Sequence, residues 1–191
     1  LDSTMLEYKR LREVHKGLIS VRTEKQEDGV GRNDKVWLSP PGGLWFTFDI
    51  RYSGFVASFG LYTGYCIHRE LCNLFSPLVD KLQIKWTNDI IYDGKKLGGL
   101  LCQSRPGYYT IGVGINTNNE IDSHLGKFGA TSMKEILGCE ISNEQLCYSL
   151  INAVEKCERL LNHEITYITY CNEHLFGKNQ LALIDVGTTP F

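Results

Sequence analysis

The chain has 191 residues, a formal net charge of −2 at pH 7 and a pI near 6.2. That length suits one domain with a substantial core and at most a small appendage. The charge balance gives no basic footprint for nucleic acid, and no cationic amphipathic run suggests a membrane surface.

The longest nearly uncharged apolar stretch, Phe55 to Ile67, is too short to span a bilayer and contains Gly60 and Gly64. No leader peptide is recognisable. Seven cysteines, at 66, 72, 102, 139, 147, 157 and 171, include no Cys-x-x-Cys pair. An odd count without metal spacing argues against a zinc site or a disulfide framework, and a reducing cytoplasm is the expected location.

Ser3 and Thr4 precede a helix-forming segment, Met5 to Lys16, and either could cap it. Residues 18–23 read as a strand. Residues 24–36 are polar and glycine-containing, with no periodic apolar face; a loop of that length is usually functional or mobile. Gly29 and Gly31 would let backbone N–H groups approach an anion, and Arg32 adds a planar donor fork. Gly29-Val30-Gly31-Arg32-Asn33-Asp34 is not a complete dinucleotide fingerprint, because Asp34 stands at the last glycine position. Residues 44–51 alternate as a strand with Leu44, Phe46, Phe48 and Ile50 inward. Phe55 to Asn73 is the best buried helix, and Gly60 and Gly64 would let it approach a sheet closely.

Residues 82–86 alternate again, with Leu82, Ile84 and Trp86 on one face and Gln83, Lys85 and Thr87 on the other. Asp93-Gly94 is a hairpin signal between residues 90–92 and 97–101. Taken alone, Lys85 reads as a surface lysine pointing to water. Residues 108–118 put Tyr109, Ile111, Val113 and Ile115 on one face and Thr110, Gly112, Gly114 and Asn116 on the other. Two glycines on one face mean either that a ligand or backbone lies against it or that the strand is bulged. Residues 126–129 read as a loop and Thr131 to Leu137 as a short helix. Ser142 to Gln145 form a capping box, and Leu146, Leu150, Val154, Cys157 and Leu161 make a core stripe. A helix over 164–175 and a strand over 180–186 complete the chain.

Four polar features stand against this apolar scaffold: Ser3-Thr4, the Gly29–Arg32 loop, Lys85 with Asn88-Asp89, and the glycine face ending at Asn116. Together they would make a cavity with bare backbone, two cations, a carboxylate and amide donors, suited to a negatively charged ligand. A lysine and an arginine aimed at phosphate oxygens would stabilise charge developing at a phosphoryl group. Asp89 could hold magnesium or orient Lys85.

Lys85-Trp86-Thr87-Asn88-Asp89-Ile90, followed by Lys96-Leu97-Gly98-Gly99-Leu100-Leu101, resembles the lysine-tryptophan-proline-asparagine-aspartate and lysine-leucine-alanine-glycine-isoleucine-leucine pattern of biotin–protein ligases. Ser3-Thr4 is similar to that family's opening serine-threonine-asparagine. Gln26, Gly29, Gly31, Arg32 and Trp37 fall at the spacing of its glycine/arginine loop, and Gly112 to Asn116 resembles its glycine-x-glycine-x-asparagine strand. Gly129 to Met133 resembles archaeal members. The likeness runs in order from residue 2 to about 175.

The resemblance implies an α+β fold like that of class II aminoacyl-tRNA synthetases and biotin synthetases, with a mixed, largely antiparallel sheet and helices on one face. Residues 1–176 would be the catalytic domain and 177–191 the start or remnant of a small C-terminal β domain. It implies ATP-dependent formation of biotinyl-5′-AMP, with magnesium, and transfer of biotin to a lysine of a biotin carboxyl carrier domain. Ser3, Thr4, Gln26, Gly29, Gly31, Arg32, Lys85, Gly99 and Gly112 would meet biotin. Arg32, Lys35, Trp37, Lys85, Asn88 and Asn116 would meet ATP. Lys85 and Arg32 would be catalytic, and Asp89 would be the magnesium ligand. Nucleic acid and membrane are not expected as partners, and a homodimer is left open.

The sequence departs from that pattern at Met5 for asparagine, Val30 for the arginine of bacterial members, Asp34 for glycine and Thr87 for proline. The tail after Gly177 is short for the family's C-terminal barrel. No DNA-binding segment precedes Leu1, so a repressor role is not expected. Lipoate–protein ligase and a non-catalytic biotin-binding protein are the competing readings.

Overall fold

The computed structural model describes residues 1–121 and 129–180. Helix α1 (Thr4–Val14) leads into β1 (Ser20–Thr23), and the long polar loop then runs to β2 (Leu44–Arg51). Helix α2 (Phe59–Leu74) follows. Strands β3 (Leu82–Lys85), β4 (Asp89–Tyr92), β5 (Lys95–Arg105) and β6 (Tyr108–Ile115) form a meander, and α3 (Met133–Leu137), α4 (Asn143–Lys156) and α5 (Glu164–Glu173) come last.

The six strands make one sheet in the order β1-β2-β6-β5-β4-β3, and every neighbouring pair is antiparallel. The parallel part of the expected mixed sheet is confined to two isolated bridges, Ile84 with Leu175 and Lys96 with Ala130. Strand β6 pairs without a break on both sides, so its two glycines are not a bulge. The irregularity lies instead between Ile90 and Ile91, where β4 meets β5. Asp93 and Gly94 both take positive φ, as a two-residue hairpin turn requires.

The core forms on one face. Leu44, Phe46, Phe48 and Ile50 of β2 meet Ile111 and Val113 of β6 beneath Tyr62, Ile67 and Leu71 of α2, with α4 and α5 packed outside. Burial of these apolar side chains supplies most of the driving force for this layer. Gly64 of α2 sits over Ile84 of β3, the close helix–sheet approach its spacing implied. The expectation of helices on one face needs a correction. Helix α1 packs on the opposite face, where Asp49 of β2 is buried. Tyr8 Oη donates to its carboxylate at 2.9 Å, Ile19 N–H donates at 2.8 Å, and the Arg12 guanidinium lies 3.3 Å away. Burial pushes the Tyr8 phenol up to about 12, so it remains a donor.

Trp86 also departs from expectation. Strand β3 stops at Lys85, opposite Asp89, and residues 86–88 form the turn, so Trp86 is 63% exposed rather than aligned with Leu82 and Ile84. The expected strand over 180–186 and the loop over 126–129 fall, apart from Gln180 and Gly129, outside the described residues. Among the described residues no helix is long and apolar enough to cross a membrane.

His68 ties α2 to the sheet and to α5. Its Nε2 lies 2.9 Å from Leu82 O and its Nδ1 3.0 Å from Tyr170 Oη. Burial pushes its pKa down to about 4, so the folded protein holds the ring neutral while an unfolded chain protonates near 6.5. Between those values the unfolded state binds more protons, so stability rises with pH and is lost as pH falls from about 6.5 towards 4. The expected loss is up to about 3 kcal/mol, read as a falling urea midpoint. His68→Gln should flatten that slope, and a wild-type midpoint unchanged between pH 7 and 4.5 would contradict the assignment.

Candidate active site

The face of the sheet away from the main core carries the cavity. Directly opposed residues in a sheet share a face. The register therefore lines up Trp45, Gly114, Gly99, Asp89 and Lys85 in one row across β2, β6, β5, β4 and β3. Thr47, Gly112 and Leu101 form the adjacent row, about 7 Å further along the strands. Over these rows lies a cavity of about 390 Å³.

The bare positions have occupants. A Cβ on Gly114 would come within 2.6 Å of the Trp37 indole, one on Gly99 within 2.9 Å of it, and one on Gly112 within 3.0 Å of the Met5 methyl. The glycines thus let an indole from the long loop lie against the sheet. Trp37 Nε1 is buried with no hydrogen-bond partner among the described residues.

One end of the cavity is polar and uncharged. Ser3 caps α1 by accepting from Met5 N–H at 3.2 Å, and it also lines the cavity. Cap and site are therefore the same residue, and its own O–H remains a donor. Gln26 Oε1 accepts from Thr4 N–H at 2.8 Å and from Thr4 Oγ1 at 3.0 Å, while Gln26 Nε2 donates to Ser39 Oγ at 2.7 Å. Thr4 Oγ1 lies 2.9 Å from Thr47 Oγ1 on the sheet. These bonds fix α1, the loop and β2 to one another.

The other end is charged. Lys96 Nζ lies 2.8 Å from Asp89 Oδ1 and 4.8 Å from the centroid of the Trp37 ring. The irregularity at Ile90/Ile91 explains its direction. Gly98 stands opposite the core residues Ile90 and Ile115, and Leu97 is fully buried in the same core. Two successive residues therefore face inward, and Lys96, which simple alternation from Gly99 would turn to the core, lines the cavity.

The long loop closes the front as a narrow hairpin. Gly31 N–H donates to Lys35 O at 2.7 Å, Trp37 N–H donates to Gly29 O at 2.7 Å, and Val30 bridges Val36. From its tip Arg32 reaches Thr87 Oγ1 and Asn88 Oδ1.

Of the residues singled out from the sequence, Ser3, Thr4, Gln26, Gly31, Arg32, Lys35, Trp37, Asn88, Asp89, Gly99 and Gly112 line this cavity. Gly29, Lys85 and Asn116 do not. Gly29 forms the hairpin neck. Lys85 lies at the outer end of the row, beyond Asp89. Asn116 Oδ1 accepts from Asn119 Nδ2 at 3.2 Å. Lys96 was missed as a site residue because the bulge that aims it leaves no mark in the alternation; its place in the Lys96–Leu101 motif was the available signal. Asp89 is engaged by Lys96, and among the described residues no group of three His, Cys, Asp or Glu side chains could hold a metal ion. The cavity fits a ligand with a neutral hydrogen-bonding head, an apolar body and an anionic end.

The model of the biotin/lipoate A/B protein ligase family matches residues 1–118. Biotin–protein ligase 2 of Arabidopsis thaliana is 31% identical over 107 residues, covering 50% of this chain and 32% of the relative. Biotin–[acetyl-CoA-carboxylase] ligase of Paracoccus denitrificans is 31% identical over 129 residues, covering 61% of this chain and 51% of the relative. The chain thus spans about a third to a half of the length of these relatives. Among solved structures, biotin protein ligase from Leishmania major in complex with biotinyl-5-AMP superposes with a TM-score of 0.81 at 21% identity, covering 99% of this chain and 84% of that one. The ligase from Aquifex aeolicus in complex with biotin and ATP gives 0.78 at 22% identity, covering 92% and 75%. At that identity the two likenesses establish the α+β fold.

Gly114→Ala should displace the Trp37 indole, with the near-ultraviolet circular dichroism of the tryptophans falling and unfolding stability changing by about 1–3 kcal/mol. An unchanged tryptophan signal would mean that the indole does not rest on Gly114.

Proposed function

The chain belongs to the biotin/lipoate A/B protein ligase family, and from that premise we propose that it is a biotin–protein ligase. The observation that carries the reading is the joining of Thr4 and Gln26 at one end of the cavity to Lys96, Asp89 and Trp37 at the other, across a glycine floor. Biotin has the matching parts: a ureido ring that donates and accepts hydrogen bonds, an apolar valeryl chain and a carboxylate. The names of the relatives point the same way.

In the first step a biotin carboxylate oxygen attacks the α-phosphorus of ATP. A new P–O bond forms, the bond to the β-phosphate oxygen breaks, and pyrophosphate leaves. Ser3, Thr4 and Gln26 hold the head group. Lys96 sits where the carboxylate and the α-phosphate meet and offsets their repulsion, with Arg32 arriving from the hairpin. The resemblance suggested Lys85 for this bridge; its place outside the cavity lining favours Lys96. Trp37, Lys35 and Asn88, which line the cavity, would meet the nucleotide, and Asn116 stands outside that lining. Magnesium would accompany the nucleotide and offset its phosphate charge, and Asp89 is the carboxylate among the lining residues that would meet it.

In the second step the neutral amine of an acceptor lysine attacks the acyl carbon. The bond to the phosphate oxygen breaks, AMP leaves, and the amine loses a proton. Asp89, the cavity's carboxylate, is placed to orient the amine or accept that proton once Lys96 turns to phosphate. A biotin carboxyl carrier domain is the acceptor that fits this chemistry. Seven cysteines without a disulfide support the cytoplasm as the location.

The test is biotin-dependent exchange of labelled pyrophosphate into MgATP. Lys96→Ala should lower kcat/KM by about 10²–10³, and Lys85→Ala should lower it far less. Equal activity of Lys96→Ala and wild type would remove the proposed bridge, and loss confined to Lys85→Ala would move it to that residue.

A further inference from the structure

A second cavity, of about 380 Å³, lies beside the first. The two share Arg32, Asn88, Leu100 and Leu101 in their walls, so Arg32 stands on the boundary between them. The second cavity is lined further by Phe55 and Thr87, and Phe55 is 83% exposed. Arg32 thus lines both the first cavity and a second one that reaches the surface at Phe55.

A short relay fixes it there. Asn88 is anchored to β5, with Nδ2 donating to Leu100 O at 3.0 Å and its backbone O accepting from Leu100 N–H at 2.7 Å. That leaves Asn88 Oδ1 as an acceptor for the Thr87 hydroxyl, 3.2 Å away, and for Arg32 Nη1, 3.3 Å away. Because Thr87 Oγ1 gives its proton to Asn88, its lone pairs are turned to Arg32 Nη1, which donates to it. The sheet thus holds the tip of the loop through two side chains. Thr87 stands where the ligase pattern has proline, which has no hydroxyl with which to build this relay.

We propose that Thr87 is a positioning residue of this chain: its hydroxyl holds Arg32 across the boundary and retains the acyl-adenylate between its formation and its transfer. The inference rests on the ligase reading for the identity of the retained molecule, whereas the tie itself is a property of the protein alone. An adenylate kept from water keeps its anhydride until the acceptor arrives.

Two readouts test it on wild type, Thr87→Val and Thr87→Ser. The first is trypsin cleavage after Arg32 without ligand, and the second is escape of acyl-adenylate formed from labelled biotin after removal of free nucleotide. Valine keeps the branched shape and removes the hydroxyl, and should raise both rates about fivefold; serine, which keeps the hydroxyl, should restore both. Cleavage at the wild-type rate in Thr87→Val would overturn the tie. Faster cleavage with unchanged escape would overturn the retaining role. If wild type forms no adenylate, the ligase reading fails and the cleavage arm still judges the tie.

Discussion

The site depends on one irregularity in the pairing of β4 with β5. A sheet strand sends successive side chains to opposite faces, so a lysine next to a leucine-and-glycine pair has its direction fixed by register. The break at Ile90/Ile91 lets Leu97 and Gly98 both face the core and turns Lys96 to the opposite side. There it meets Asp89 and lies over Trp37. Without that shift the ammonium would point into a layer of Ile90, Ile115 and Leu100, where an unpaired charge is strongly unfavourable. One register step thus serves both the stability of the core and the chemistry of the cavity.

The two faces of the sheet divide the remaining tasks. One carries the apolar layer under α2, α4 and α5, which makes the strands rigid. The other is held by directed bonds: Thr4 to Thr47 and Gln26, and Tyr8, Ile19 and Arg12 to Asp49. These fix α1 at its first turn and its middle, so the Ser3–Met5 wall of the cavity is set by the sheet. The base of the loop is tied through Gln26 to Thr4 and Ser39 and through Glu27 and Asp28 to Leu1 and Asp2, whereas the tip with Arg32 is held by the hairpin neck and its contacts with Thr87 and Asn88. A rigid floor under a lightly held cover suits a reaction that must admit ligands and then exclude water.

Much of this was legible in the sequence, because alternation and capping are local. The strand over 44–51, the alternation over 108–118 of which Tyr108–Ile115 is the strand, the Asp93-Gly94 turn and the cap at Ser142 follow from patterns a few residues long. The glycine face read from the sequence as either covered or bulged; that it is covered, and by the indole of Trp37, was not legible, since that contact joins residues 77 positions apart. Trp86 was misjudged because alternation continues on paper past Lys85, where the pairing stops. Lys96 was hidden by the bulge, a feature of two strands together. The family pattern drew attention to the right segment, and only the register distinguished its two lysines.

The most direct test of the account is to incubate the protein with MgATP and either biotin or lipoate, quench with acid, and identify the adenylate by mass spectrometry. Biotinyl-5′-AMP is expected with biotin and no adenylate with lipoate. Lipoyl-AMP alone would move the chain to the lipoate branch of its family, and no adenylate with either acid would contradict the reading of the Lys96 cavity as a site of phosphoryl chemistry.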